Sequence, residues 1–180
     1  VLPVGDPRAV PSTRDDPEPR DYTGDLSCFP LFPNNMALNR PMALELGGFD
    51  EGLPAAPDND FCYRWLRAGN RLIYEPDMVV WHHDWRSPEQ LERLYVRYAR
   101  GQGAFYAKHL RERDLRMLRF IARDVYGGLR SVAAAVVRGR PRWSDPRRGL
   151  LAGLPVGLIA GWRAYKPGRD SVALLAGLGH

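Results

Sequence analysis

The spacing of apolar positions changes several times along the chain. Residues 1–25 show little periodicity and are rich in Pro, Asp and Arg, which reads as an irregular arm or linker with no partner in this chain. From Leu26 to Leu38 the sequence turns apolar around Cys28, Phe29, Leu31 and Phe32, and a strand ending near Met36–Leu38 is predicted. Pro41 suits the first turn of a short helix over 41–46, and Gly47–Gly48 suits its end. Asp58 or Asp60 can cap a helix reaching about Ala68, with Gly69 as its left-handed stop. Arg71–Glu75 and Met78–His82 read as strand segments, broken or bent at Pro76.

The second half is patterned as helices. Ser87-Pro88-Glu89-Gln90 is a capping box with Pro at the first helical position, and Leu91, Leu94, Tyr95 and Tyr98 follow at helical spacing toward His109. Gly101 and Gly103 weaken that helix near its middle. Residues 112–137 form a second pattern, with Leu115, Leu118, Ile121, Ala122 and Val125 on one face and Arg116, Arg119, Arg123 and Arg130 between them. Asp145-Pro146 is a further cap and start, leading into 147–163. The expected architecture is therefore α/β: a small unit with two or three strands, then an α-helical region. Three segments follow: 1–25 as an arm, 26–110 as the α/β unit with its first long helix, and 111–180 as a basic helical tail.

Composition sharpens this division. The chain has 180 residues, 44% hydrophobic and 26% charged, enough for a buried core. Residues 1–90 hold 8 basic and 15 acidic side chains, whereas residues 91–180 hold 18 and 6. Of the 26 basic residues only Lys108 and Lys166 are lysines. An acidic front and an Arg-rich rear argue against a uniformly basic nucleic-acid binder and point to a polar site in front and an anionic partner behind. Two cysteines, Cys28 and Cys62, with no CxxC, exclude a disulfide framework and a zinc ribbon. The uncharged run 149–162 has fourteen residues, short of the ~20 that a spanning helix needs. It suits an interfacial or re-entrant helix instead.

Two clusters carry potential chemistry: Pro57-Asp58-Asn59-Asp60-Phe61-Cys62-Tyr63-Arg64-Trp65 and Trp81-His82-His83-Asp84-Trp85. Asp60 and Arg64, four apart, can pair on one helix face. Asp58, at or before the helix start, sits where backbone N–H groups favour an ionised carboxylate, which can act as a general base toward a hydroxyl. His82, ending a strand, can ligate a divalent metal. Each has a plainer reading: Asp58 and Asp60 as caps, His82 and His83 as polar residues at a strand end, and the tryptophans Trp65, Trp81 and Trp85 as core or as sugar-stacking rings.

The order of the pieces is more specific than any one of them. Asn34-Asn35-Met36-Ala37-Leu38-Asn39-Arg40, Gly47-Gly48-Phe49-Asp50-Glu51, Asp58-x-Asp60-x-x-x-Arg64, Gly69, Tyr74-x-Pro76 and Val80-Trp81-His82 follow one another. Over about residues 30–110 this closely resembles the second half of family 2 glycosyltransferases, GT-A enzymes that take a sugar from a nucleotide diphosphate. The resemblance implies a partial GT-A-like fold and an inverting, metal-dependent transfer to an acceptor hydroxyl, with a lipid-linked or cell-envelope glycan as a suitable acceptor.

Carried over residue by residue, Asp58 matches the family's acceptor-deprotonating Asp, with Pro57 where the family usually has Glu. Asp60 and Arg64 match the next Asp and Arg. Asn35 and Asp50 match positions flanking the acceptor cleft, and Trp81 is counted with these on the substrate side. His82, with His83 as its alternative, matches the His on the metal or diphosphate side, where the resemblance implies Mg2+ or Mn2+. The donor-binding strands and metal-binding D-x-D of the family's first half find no match before residue 26. The chain, opening on Val1, is thus expected to be an acceptor half, inactive without a donor half. The Arg-rich helices suit an anionic membrane surface, and hence a cytoplasmic, peripheral location at the inner face of the membrane. A membrane-associated binding or assembly module that keeps the fold without catalysis is the alternative.

Overall fold

The computed structural model describes residues 2–4, 16–31, 35–53, 55–83, 87–138 and 147–165. Its elements are β1 (Leu2–Val4), β2 (Arg20–Asp21), a 3-10 turn (Leu26–Leu31), α1 (Arg40–Glu45), α2 (Pro57–Arg67), β3 (Ile73–Tyr74), β4 (Trp81–His83), α3 (Pro88–Arg111), α4 (Arg116–Arg138) and α5 (Arg147–Ala164). They group into two units, Val1–Phe49 with Asp58–Arg86, and Asp50–Pro57 with Ser87–His180. The expected class holds: a few-stranded α/β front followed by helices.

The front unit is organised by α2. Phe61, Cys62, Tyr63 and Leu66 are buried on nearly every side of this helix, so it acts as a core element rather than a surface one. Phe29 meets Tyr63 edge-on at 5.7 Å, and Phe61 packs between Phe49 and Trp65 at 5.0 and 5.9 Å. Trp65 is core, its indole N–H donating to the Arg71 carbonyl at 2.8 Å. α1 starts on Asn39, whose side chain accepts from the Met42 N–H. It stops at Gly47 and Gly48, which take φ of 82° and 64°.

Strands are shorter and differently partnered than the pattern suggests. Residues 26–31 form a 3-10 turn and 36–39 no regular element, where a strand was expected. A short apolar run does not distinguish the two, and Phe29 satisfies its burial as part of the turn. The arm is not without partners: β1 runs parallel to β4 with Leu2 opposite Trp81, and β2 runs antiparallel to β3 with Arg20 opposite Tyr74. Asp16 accepts from the Tyr74 hydroxyl through its carbonyl at 2.9 Å.

The rear unit is built on α3, which its capping box starts as expected. Gly149, Gly153, Gly157 and Gly161, one per helical turn of α5, lie directly on α3. A Cβ on Gly153 would come within 2.5 Å of the Val96 carbonyl and 2.6 Å of the Ala99 Cβ, one on Gly161 within 2.6 Å of the Ala104 Cα, and one on Gly157 would strike the Arg100 carbonyl. Gly103 of α3 faces the Leu154 carbonyl in the same way. Gly101 and Gly103, which read as weak points, are thus points of backbone contact. A Cβ on Gly101 would sit 2.5 Å from the Ala55 carbonyl.

The apolar row read along 112–137 is not the most buried face of α4. Met117, Phe120, Gly128, Ser131 and Ala135 are buried, whereas Leu115 and Leu118 are exposed. Tyr106 of α3 donates to Asp124 of α4 at 2.6 Å. Burial, reinforced by that carboxylate, pushes the Tyr106 hydroxyl well above its usual pKa, so it remains a donor. No described helix is long and apolar enough to cross a membrane. The Asp145-Pro146 cap lies outside the described residues.

Candidate functional site

The first turn of α2 treats its two aspartates in opposite ways. The helix begins at Pro57, so neither Asp58 nor Asp60 is its cap; both sit inside the first turn. Ala56, the residue before it, has φ 62°, a conformation that non-glycine residues seldom adopt.

Asp60 is fully buried, and its Oδ2 accepts from Arg64 Nε at 2.8 Å. The other two guanidinium nitrogens of Arg64 donate at 2.5 Å to the Leu46 and Gly48 carbonyls. These carbonyls belong to the end of α1, where the helix leaves acceptors unsatisfied. Arg64 is suited to this task because its planar fork presents several donors at once. The i, i+4 pair expected from spacing therefore forms, and it ties α2 to the Gly47-Gly48 turn.

Asp58, two residues earlier in the same turn, is half-buried. Its Oδ1 accepts from the Asn59 N–H at 2.9 Å, and its Oδ2 has no hydrogen-bond partner among the described residues. A carboxylate in the first turn of a helix, with one oxygen oriented by the backbone and the other available, is equipped to receive a proton.

The remaining sequence candidates are dispersed. Asn35 is not on a strand, because residue 35 lies in a bend; its side-chain amide donates to the Met78 carbonyl at 2.8 Å, just ahead of β4. Trp81 is 62% exposed on β4, with His83 exposed two residues on. The His82 side chain and Trp85 lie outside the described residues. Asp50 is committed through both oxygens, Oδ1 to the Gly52 N–H at 2.9 Å and Oδ2 to Lys108 Nζ at 2.5 Å. Among the described residues no three His, Cys, Asp or Glu side chains gather as a metal-binding group.

Sequence reasoning missed a polar knot in the rear unit. Lys108 is buried, paired with Asp50 and 5.8 Å from the centre of the Tyr165 ring. Tyr165 donates to Glu112 at 2.7 Å, and Glu112 lies 3.1 Å from Nδ1 of the buried His109. Burial by itself would raise the Glu112 pKa, but hydrogen bonds from His109 and Tyr165 and the charge of Lys108 hold it down to about 2. One signal was present: Lys108 is one of two lysines in a chain that otherwise uses arginine. A compact ammonium fits a buried pair with Asp50.

Comparison with known proteins adds a short match. A 38-residue stretch is 47% identical to the pre-mycofactocin glycosyltransferase of two Mycobacterium tuberculosis strains, CDC 1551 / Oshkosh and ATCC 25618 / H37Rv. It covers 21% of this chain and 8% of the length of each relative. No family model and no solved structure matches. Over that stretch, then, the chain is similar to a glycosyltransferase.

Proposed function

We propose that this protein contributes the acceptor side of a glycosyl transfer from a nucleotide diphosphate sugar to a hydroxyl group. The observation that carries the reading is the unequal use of the two aspartates: Asp60 is consumed by Arg64, while Asp58 keeps Oδ2 available. The short glycosyltransferase match and the ordered motifs around residues 35–82 point the same way.

In this reading Asp58 removes the acceptor proton as the hydroxyl oxygen attacks the anomeric carbon. The new carbon–oxygen bond forms opposite the departing diphosphate, the old one breaks with its electrons going to the diphosphate, and configuration inverts. Asp60 and Arg64 fix the helix turn on which Asp58 stands. Asn35 holds the backbone ahead of β4, and exposed Trp81 offers a ring face to a sugar. The family resemblance also implies Mg2+ or Mn2+ at the diphosphate, but the described residues bring together no group to hold it, so no step is assigned to a metal. A nucleotide-sugar donor fits a cytoplasmic site of action.

The test is Asp58→Asn in the native full-length polypeptide, assayed for sugar transfer. Loss of a general base lowers turnover by about 10²–10⁴-fold. Turnover near wild type removes Asp58 from the base role.

A further inference from the structure

The apolar residues of α4 that do not face the core form a stripe of their own. Leu115, just before the helix, then Leu118, Ala122, Val125, Leu129, Val132 and Val136 recur at alternating steps of three and four, the spacing of one continuous helix face. All but Val125 are exposed, Leu115 at 69% and Val136 at 78%. Tyr126 and Val137, also exposed, widen the stripe on one side. Its length is about 30 Å at 1.5 Å per residue. The core-facing residues Met117, Phe120 and Ser131 lie on a different side of the helix, so the described residues of the rear unit leave the stripe uncovered.

Charge decides among occupants. Arg116, Arg119, Arg123 and Arg130 are exposed and line the edge of the stripe beyond Tyr126 and Val137. Asp124 is the one acid in α4, and it is already committed, Oδ2 accepting from Tyr106 at 2.6 Å and Oδ1 from Arg123 Nε at 3.3 Å. A second copy apposed through this face would bring Arg119 and Arg130 toward their counterparts with no acid on α4 beyond the committed Asp124 to meet them. An anionic lipid surface takes both features: the apolar stripe enters the headgroup–acyl boundary, while the arginine stems snorkel and their guanidinium groups meet phosphate. The expectation of an interfacial segment had fallen on 149–162, but the glycine face of α5 is already taken by α3. The apolar stripe on α5 that remains exposed, Val156, Ile159 and Trp162, has no comparable row of arginines.

We infer that α4 lies in the plane of an anionic membrane, its Leu115–Val136 stripe immersed and its arginines on lipid phosphate. The experiment is co-sedimentation of the full chain with vesicles of phosphatidylcholine alone or of equal parts phosphatidylcholine and phosphatidylglycerol. Binding is expected to the anionic vesicles and to weaken in high salt. Leu118→Glu with Leu129→Glu, both at exposed positions, should lower it at least tenfold with an unchanged circular dichroism spectrum. Arg119→Gln and Arg130→Gln, which leave the stripe intact, should each lower it about fivefold. Equal binding to neutral vesicles, or binding unaffected by either set of variants, overturns the inference. So does a concentration-dependent dimer that the Glu variants abolish in the absence of vesicle binding.

Discussion

The two units of this protein reach close packing by opposite means. In the front unit large aromatic side chains fill the space around α2, and an arginine closes the polar ends that the helices leave open. In the rear unit side chains are removed: a glycine on every turn of α5 lets its backbone rest on that of α3. The first arrangement is sensitive to loss of atoms, the second to their addition. Both are dense, as interiors must be, but they fail in different directions.

Arg64→Ala is expected to have the largest effect on stability. It leaves the Asp60 charge buried with its strongest donor gone and uncaps the Leu46 and Gly48 carbonyls, for a cost of about 3–5 kcal/mol. Urea unfolding followed at the front unit's tryptophans would measure it. A cost below about 1 kcal/mol would mean that the aromatics alone hold this unit.

Next come the glycines of α5. Gly157→Ala adds one methyl where the Arg100 carbonyl stands and should cost about 1–3 kcal/mol in thermal unfolding. The control is Gly127→Ala, where a Cβ meets nothing within 4 Å and helix propensity should give a gain of about 0.5–1 kcal/mol. If both substitutions behaved alike, the contrast between the two units would collapse.

A subtler distinction concerns the buried pair of the rear unit. Lys108→Met strands Asp50, whereas Lys108→Met with Asp50→Leu removes both charges together. The double variant should be the more stable of the two by about 1–3 kcal/mol, read from paired denaturation curves. If the single variant were equally stable, the pair would contribute little to holding the 50–57 loop.

The smallest effect is a pH dependence confined to the rear unit. The Glu112 pKa, about 2 when folded, lies below its ordinary 4.5, so the carboxylate stabilises the fold fully above about pH 4.5. That contribution is lost as pH falls from 4.5 toward 2. Glu112→Gln should flatten the stability profile across this window and leave it unchanged near neutrality apart from a constant offset. An unaltered slope would show that the His109 and Tyr165 bonds do not favour the charged form.

Legibility in the sequence followed the range of the interaction. The start of α3 was readable because the Ser87 hydroxyl accepts from the Gln90 N–H while the Gln90 side chain accepts from the Ser87 N–H, two residues three apart satisfying one another. The Asp60–Arg64 pair was readable for the same reason. The 3-10 turn at Leu26–Leu31 was not, since a short apolar run suits several backbones and Phe29 needed only burial. The buried face of α4 was not legible because apolar residues occur on two sides of it. Which side becomes core depends on α5 and on Tyr106 of α3, whose places against α4 are set by tertiary packing.

The glycines show the division most clearly. Residues 149, 153, 157 and 161 are legible as a four-residue period, and a period is all that a sequence can state about them. By itself the chain determined where α3 starts, which of its aspartates can pair within one turn, and how its charge divides between front and rear. These are local properties, set by backbone hydrogen bonding and the 3.6-residue turn. Only the tertiary structure decided that Asp60 is spent and Asp58 is not, that Lys108 neutralises Asp50, and that the apolar stripe of α4 faces outward. Each of those depends on which surface a distant segment occupies, and burial is settled only when the partner arrives.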